Sequence, residues 1–309
     1  MKYKEWLVIW LENYIKPSSK PKTYARYVEI VKNHLTCDLG EREIAEITPL
    51  ILQKYVTELL STGNRKTGNG LSASTVNLVI TVIQNSLQTA HNLGYIEQET
   101  ASKIKRPKTK EKQVTSFTTT EQKQIEGEIR KSTKPKMYGI LICLYMGLRI
   151  GELLALEWSD VGFSKNELFV TKTCYDGKDK NGVFRRITNT PKTDTSNRII
   201  PIPKTLIPIL KEMKKKGKNQ YVISESEKPL AVRSYQRSFE RLLKRLGIQH
   251  KGFHSLRHTF ATRALEIGVD VKTLSEILGH KNANITLQRY AHSMPEHKKE
   301  MMNKIGRFL

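Results

Sequence analysis

At 309 residues, with 38% hydrophobic and 27% charged positions, the chain is long enough for two folded domains, and its composition excludes a disordered tail. Its 53 Lys+Arg against 30 Asp+Glu leave a formal charge of +23, which favours a large polyanion as partner, nucleic acid ahead of an anionic membrane surface. The longest apolar run, MYGILICLYMGL (Met137 to Leu148), falls short of the ~20 residues that span a bilayer. Lys2, Lys4 and Glu5 break up the N-terminus, so it lacks the apolar stretch of a signal peptide. Cys37, Cys143 and Cys174 are scattered and odd in number, which argues against a disulfide framework and a cysteine zinc site and fits a reducing cytoplasm.

The first hundred residues read as four helices. Trp6, Leu7, Trp10, Leu11, Tyr14 and Ile15 form a helical stripe up to Pro17. Thr23 is the expected cap of a second helix that carries Tyr27, Ile30 and Val31. Thr48-Pro49 opens a third, which runs to about Leu60, because a threonine cap followed by proline suits a helix start. After the loop GNRKTGNG, Ser72 opens a fourth with Val76, Val79, Ile80, Ile83 and Leu87, ending near Gly94.

The composition then changes to KIKRPKTKEK, residues 103–112, with Lys103, Lys105, Arg106 and Lys108 at its head. It reads either as a solvated linker or as a flexible cationic strap laid across a polyanion. Beyond it, Thr118 or Thr119 caps a helix through Ile129, the apolar run forms another, and LRIGELLALEW (Leu148 to Trp158) a third. Alternation in ELFVTKTCY (167–175), GVFRRITN (182–189) and NRIIPIP (197–203) predicts one small antiparallel sheet. Helices return after Pro203. Arg233, Arg237, Arg241 and Arg245 form a strict i+4 row opposite Phe239, Leu242, Leu243 and Leu246. That row is either a solvated face or a track for a phosphate backbone.

Six of the eight histidines lie between His250 and His297. In HSLRHTF, His254 and His258 stand one helical turn apart and could grip a metal ion, but Arg257 between them is a poor companion for a dication. An LGH ending at His280 and an RYAH holding Tyr290 follow, and MGLRIGELLAL and TPKTDTSNR precede them.

This ordered set resembles the tyrosine recombinase, or phage integrase, family of DNA-cutting and DNA-joining enzymes, in the manner of integrases from conjugative elements and temperate phages. The match spans most of the chain. The family's G-L-R-x-G/S-E arginine falls on Arg149, its β-turn lysine on Lys192, its H-x-L-R-H block on His254 and Arg257, its L-G-H histidine on His280 and its nucleophile on Tyr290. Glu152 takes the place of an acid that props the first arginine, His258 that of a supporting residue, and Thr286 falls in the short helix before the tyrosine.

The resemblance implies a mainly α fold with a small antiparallel β-sheet (α+β). A helical core-binding domain over residues 1–102, a basic linker over 103–114 and a catalytic domain over 115–309 would close on DNA as a C-shaped clamp. It also implies a tail helix at about 296–309, where Met301, Met302, Ile305, Phe308 and Leu309 recur at helical spacing; this would join a homotetramer by tail exchange or pack on its own subunit. Specific double-stranded DNA sites are the implied partners, with accessory excision or DNA-bending proteins beside them. The arm-binding domain that many such integrases carry has no room before the first helix and is expected to be absent or trimmed.

The chemistry suits these residue types. Attack on a phosphodiester builds charge on the nonbridging oxygens, and the guanidinium fork of Arg149 and Arg257 matches it at any working pH. His254 and His280 add donors, so neither metal nor ATP is required. Tyr290 would give a 3′-phosphotyrosyl intermediate, and Lys192 would protonate the departing 5′-oxygen. Lys103, Lys105, Arg106, Lys108, Arg233, Arg237 and Arg241 are the candidate DNA contacts. A type IB topoisomerase is the nearest alternative, ahead of a noncatalytic DNA-binding module and of a zinc hydrolase on His254, His258 and His280.

Overall fold

The first helix is anchored by aromatic side chains whose polar ends all find partners. In α1 (Tyr3–Trp10) the Tyr3 hydroxyl meets Ser86 Oγ at 2.6 Å, and the Trp6 and Trp10 indoles donate to Ser86 O at 3.0 Å and Thr89 Oγ1 at 3.1 Å. The rings therefore bury apolar area without stranding a donor. The computed structural model describes residues 1–65, 67–109, 115–178, 184–189, 197–280, 282–290, 302, 303 and 306. Two units result, Met1–Lys112 and Gln113–Leu309.

In the first unit the helix does not stop at Pro17. A π-helical turn (Leu11–Ile15) leads straight into α2 (Lys16–Ser18), because the wider turn gives the proline ring room where a regular carbonyl ladder would strike it. The second helix, α3 (Pro21–Ile30), starts two residues before the expected cap at Thr23: Pro21 takes its first position and Lys20 the cap. For α4 (Pro49–Thr62) and α5 (Ala73–Asn92) the caps are as expected, with Thr48 Oγ1 accepting from Ile51 N at 3.3 Å and Ser72 Oγ from Thr75 N at 3.2 Å. Buried faces of these helices share one core with short 3₁₀ turns at Asp38–Glu41 and Ile44–Glu46.

The basic stretch after Lys103 is anchored rather than loose over its described part. Ile104 is buried, Asn77 Nδ2 donates to Pro107 O at 3.0 Å, and Arg106 donates to Asn77 O at 3.2 Å and Gln84 Oε1 at 2.5 Å. Residues 104–107 thus lie along α5, and residues 110–114 lie outside the described residues.

In the second unit Thr118 is the cap of α6 (Thr119–Arg130), in a reciprocal box with Glu121. The apolar run forms α7 (Pro135–Met146), buried on nearly all sides and ended by Gly147 at φ +65°. The next helix, α8 (Ile150–Ala155), is shorter than its sequence suggests, since Leu156 and Trp158 leave it to pair with the backbone at Val222 and Gln220.

The sequence predicts one sheet; the described residues form two. β1 (Val161–Gly162), β2 (Glu167–Val170) and β5 (Arg198–Pro201) make a three-stranded antiparallel sheet in the order β1-β2-β5, while β3 (Thr173–Lys178) pairs with β4 (Phe184–Asn189). The run Glu167–Tyr175 breaks at Thr171-Lys172, and α8 packs on β3: a Cβ at Gly151 would stand 2.5 Å from Thr173 Oγ1. Then follow α9 (Ile207–Lys216), α10 (Val232–Arg245), α11 (His254–Glu266), α12 (Val271–Leu278) and α13 (Ala283–Tyr290). Together these elements form a mainly helical fold with small antiparallel sheets. No helix among the described residues is long and apolar enough to cross a membrane.

Candidate active site

The last carbonyls of a helix have no partner within it and carry the negative end of its dipole. At the end of α12 arginines supply those partners. Arg257, on α11, donates to Leu278 O at 2.6 Å and to Gly147 O at 2.8 Å; Arg149, at the cap of α8, donates to Gly279 O at 3.0 Å. Gly279 at φ +61° turns the chain there, and His280 follows at once. The ends of α7 and α12, the start of α8 and the first turn of α11 are thereby held together.

Glu152 completes the arrangement. One carboxylate oxygen accepts the Arg149 backbone N–H at 2.9 Å, and the other accepts Arg149 Nη1 at 2.8 Å. Burial by itself pushes this carboxyl up, but hydrogen bonding and charge from Arg198, with the charge of Arg149, reverse that and hold it at about 2. Arg198 lies only 2.9 Å from Glu152 Oε2, and neither side chain is more than 6% exposed.

The histidines are held by different means. His280 Nδ1 meets the buried Thr286 hydroxyl at 2.7 Å, which orients the ring from the short helix α13. His254 is exposed, and His258 packs against it edge to face, ring centroids 4.5 Å apart at 83°. Among the described residues no three His, Cys, Asp or Glu side chains are grouped to hold a metal ion.

Arg149, Arg257, Glu152 and His280 are thus brought together, with His254 and His258 on the helix that carries Arg257. Tyr290 ends α13, ten residues after His280. Lys192 lies outside the described residues. Arg257 is 1% exposed and bonds to Gly147 O and Leu278 O, whereas the Arg149 side chain is 36% exposed. Of the remaining candidates, Arg233, Arg237 and Arg241 stand exposed on the outer face of α10, where with Ser234, Glu240 and Lys244 they line a groove of about 550 Å³. The residue that sequence reasoning passed over is Arg198. Its signal is an inverted strand pattern: in RIIP the side chain of Ile199 is 55% exposed while Arg198 shares the inward face with Ile200.

Comparison with known proteins gives the family. Residues 107–297 match the profile of the Phage integrase family, and residues 2–60 that of the Phage integrase, N-terminal SAM-like domain. The chain belongs to the phage integrase family. It is a tyrosine recombinase, a site-specific enzyme that breaks and rejoins DNA. The tyrosine recombinase XerC-like protein of Caldanaerobacter subterraneus subsp. tengcongensis is 30% identical over 94% of this chain and 78% of its own length. The ICEBs1 integrase of Bacillus subtilis is 25% identical over 94% and 79%. Among solved structures, the Tn1549 transposon integrase in complex with transposon right end DNA superposes with a TM-score of 0.82 at 20% identity, covering 99% of this chain and 100% of that one. A lambda integrase dimer bound to a COC' core site gives 0.70 at 21% identity, covering 96% and 98%. At such identities the likeness speaks for the fold.

Proposed function

We propose that this recombinase integrates and excises a mobile element, with Tyr290 as nucleophile. Its phenol oxygen attacks the scissile phosphorus, the bond to the 5′-oxygen breaks, and a 3′-phosphotyrosyl bond holds the energy for rejoining. Lys192 gives its proton to the departing 5′-oxygen and His254 takes the tyrosine's proton. Arg149, Arg257 and His280 meet the charge on the nonbridging oxygens. The 5′-hydroxyl of a second strand then displaces the phenol, and two rounds pass through a Holliday junction. No step calls for a metal or ATP.

The observation that carries this reading is the convergence of Arg149, Arg257 and the His280 segment on the single turn after α12. The free phenol pKa, ~10, makes a tyrosine a weak nucleophile at neutral pH, and in this proposal the arginine clamp favours the phenolate. We place the partners on the same basis: double-stranded DNA at specific sites in the cytoplasm, with four subunits joined by C-terminal tails and assisted by accessory proteins. In support, a lambda integrase tetramer is known bound to a Holliday junction, and an ICEBs1 integrase and a prophage phiRv2 integrase are among the relatives.

Two DNAs bearing the element's ends and its target provide the test. Wild type is expected to join them with or without a strong chelator, and Tyr290→Phe to join nothing. Joining by Tyr290→Phe, or plasmid relaxation by wild type with no joined product, would overturn the proposal.

A further inference from the structure

Arg198, the first residue of β5, is bonded on two sides at once. Its Nη1 and Nη2 donate to the two oxygens of Glu152 at 3.1 and 2.9 Å, and its Nε donates to Ile277 O at 2.6 Å. Glu152 is therefore shared by two guanidiniums, and each of these also holds a carbonyl at the end of α12: Arg198 that of Ile277, Arg149 that of Gly279. With Arg257 on Leu278, three consecutive carbonyls are taken by three arginines from three different elements.

Two further facts show that the packing is built around this side chain. Gly279 needs its left-handed backbone, and a Cβ there would also stand 2.9 Å from Arg198 Nη1, so the guanidinium lies flat against the one residue that leaves it space. In β5 the cation faces in and Ile199 faces out, the reverse of what packing alone would choose. A buried arginine in that orientation costs desolvation that good geometry must offset, and the fork-to-carboxylate match provides such geometry.

We propose that Arg198 is a positioning residue of the recombination reaction, a tie that fixes Arg149 relative to His280 by holding Glu152 and the end of α12 together, without binding DNA itself. The inference rests on the reading of Arg149 and His280 as phosphate-binding groups. The Nε, Nη1 and Nη2 of Arg198 are all engaged by Ile277 O and Glu152, so it acts through these partners.

The experiment uses the full chain, a recombination-site DNA nicked next to the scissile phosphate, and four variants: Arg198→Met, Arg198→Lys, Glu152→Gln, and Arg198→Met with Glu152→Gln. Folding is checked by circular dichroism, binding by titration, and cleavage by the single-turnover rate of covalent adduct formation. Arg198→Met is expected to bind the DNA as wild type does and to cleave about 100-fold more slowly, the scale of loss for a misplacement of about 1 Å in the reacting groups. Lysine keeps the charge but cannot bond both partners in the fork, so Arg198→Lys should recover part of the rate. Because both residues act on one path, the double variant should cleave no more slowly than the slower single variant.

A folded Arg198→Met enzyme that cleaves at the wild-type rate, loses binding and cleavage equally, or shows losses that multiply in the double variant overturns the inference and leaves the reading of Tyr290 intact. Should Arg198→Met fail to fold, Arg198→Lys decides, and a wild-type rate there also overturns it. No adduct from wild type itself would instead bring down the proposed function and this inference with it.

Discussion

Arginines do opposite work in two regions of the second unit. At the end of α12, Arg198 is withdrawn from water and bonded to a backbone carbonyl and a carboxylate. On the outer face of α10 the side chains of Arg233 and Arg245 are 63% and 61% exposed and reach only Glu240 and Glu128 at the surface. A guanidinium keeps its charge in either place, so the difference lies in what surrounds it. Buried, it fixes the geometry of its own chain; exposed, it is available to an outside anion.

Removing the acid at the centre of the buried set should have the largest effect on folding. Glu152→Ala leaves Arg198 without its counter-charge and is expected to lower stability by about 3–5 kcal/mol in urea unfolding. A loss below about 1 kcal/mol would mean that the pair contributes little, as exposed pairs do.

The same carboxyl gives a pH test. Its folded value of about 2 lies below its ordinary 4.5, so the unfolded chain binds more protons between the two. Its contribution, about 3 kcal/mol, is fully present above the unfolded value and is lost as pH falls through the folded one. Urea midpoints measured from about pH 6 down to about pH 2 should fall more steeply for wild type than for Glu152→Gln. Equal slopes would contradict the placement of Glu152 between two arginines.

Two glycines separate backbone strain from crowding. Gly247 and Gly279 both have positive φ, but a Cβ at Gly247 meets nothing within 4 Å whereas one at Gly279 meets Arg198. Gly247→Ala is expected to cost about 1 kcal/mol and Gly279→Ala about 2–3 kcal/mol. Equal costs would remove Arg198 from the explanation. The exposed row should give the smallest change in stability: Arg237→Ala should shift it by no more than about 0.5 kcal/mol. If that side chain meets a phosphate, the slope of log K for DNA against log[salt] should drop by about 0.9. An unchanged slope would make the α10 face merely solvated.

What the sequence made legible follows the range of the forces involved. The caps at Thr48, Ser72 and Thr118 are bonds between residues three apart, so they can be read from a short window. The order and spacing of Arg149, His254, Arg257, His280 and Tyr290 were likewise legible. Their arrangement was not, because the bonds from Arg149 to Gly279 and from Arg257 to Gly147 cross more than a hundred residues. Passage of the first helix through Pro17 depends on a π-helical turn that periodicity does not announce. The approach of α8 to β3 at Gly151 is a tertiary contact that strand alternation does not announce either. Arg198 looked like one cation among many until its neighbours were known.

The covalent step gives the most direct test of the whole account. Wild type would be trapped on a site nicked beside the scissile phosphate, the adduct digested with protease and nuclease, and the modified residue located by tandem mass spectrometry. The account predicts a nucleotide carried on the Tyr290 oxygen. A nucleotide on any other side chain, or DNA cut with no protein attached, would contradict it.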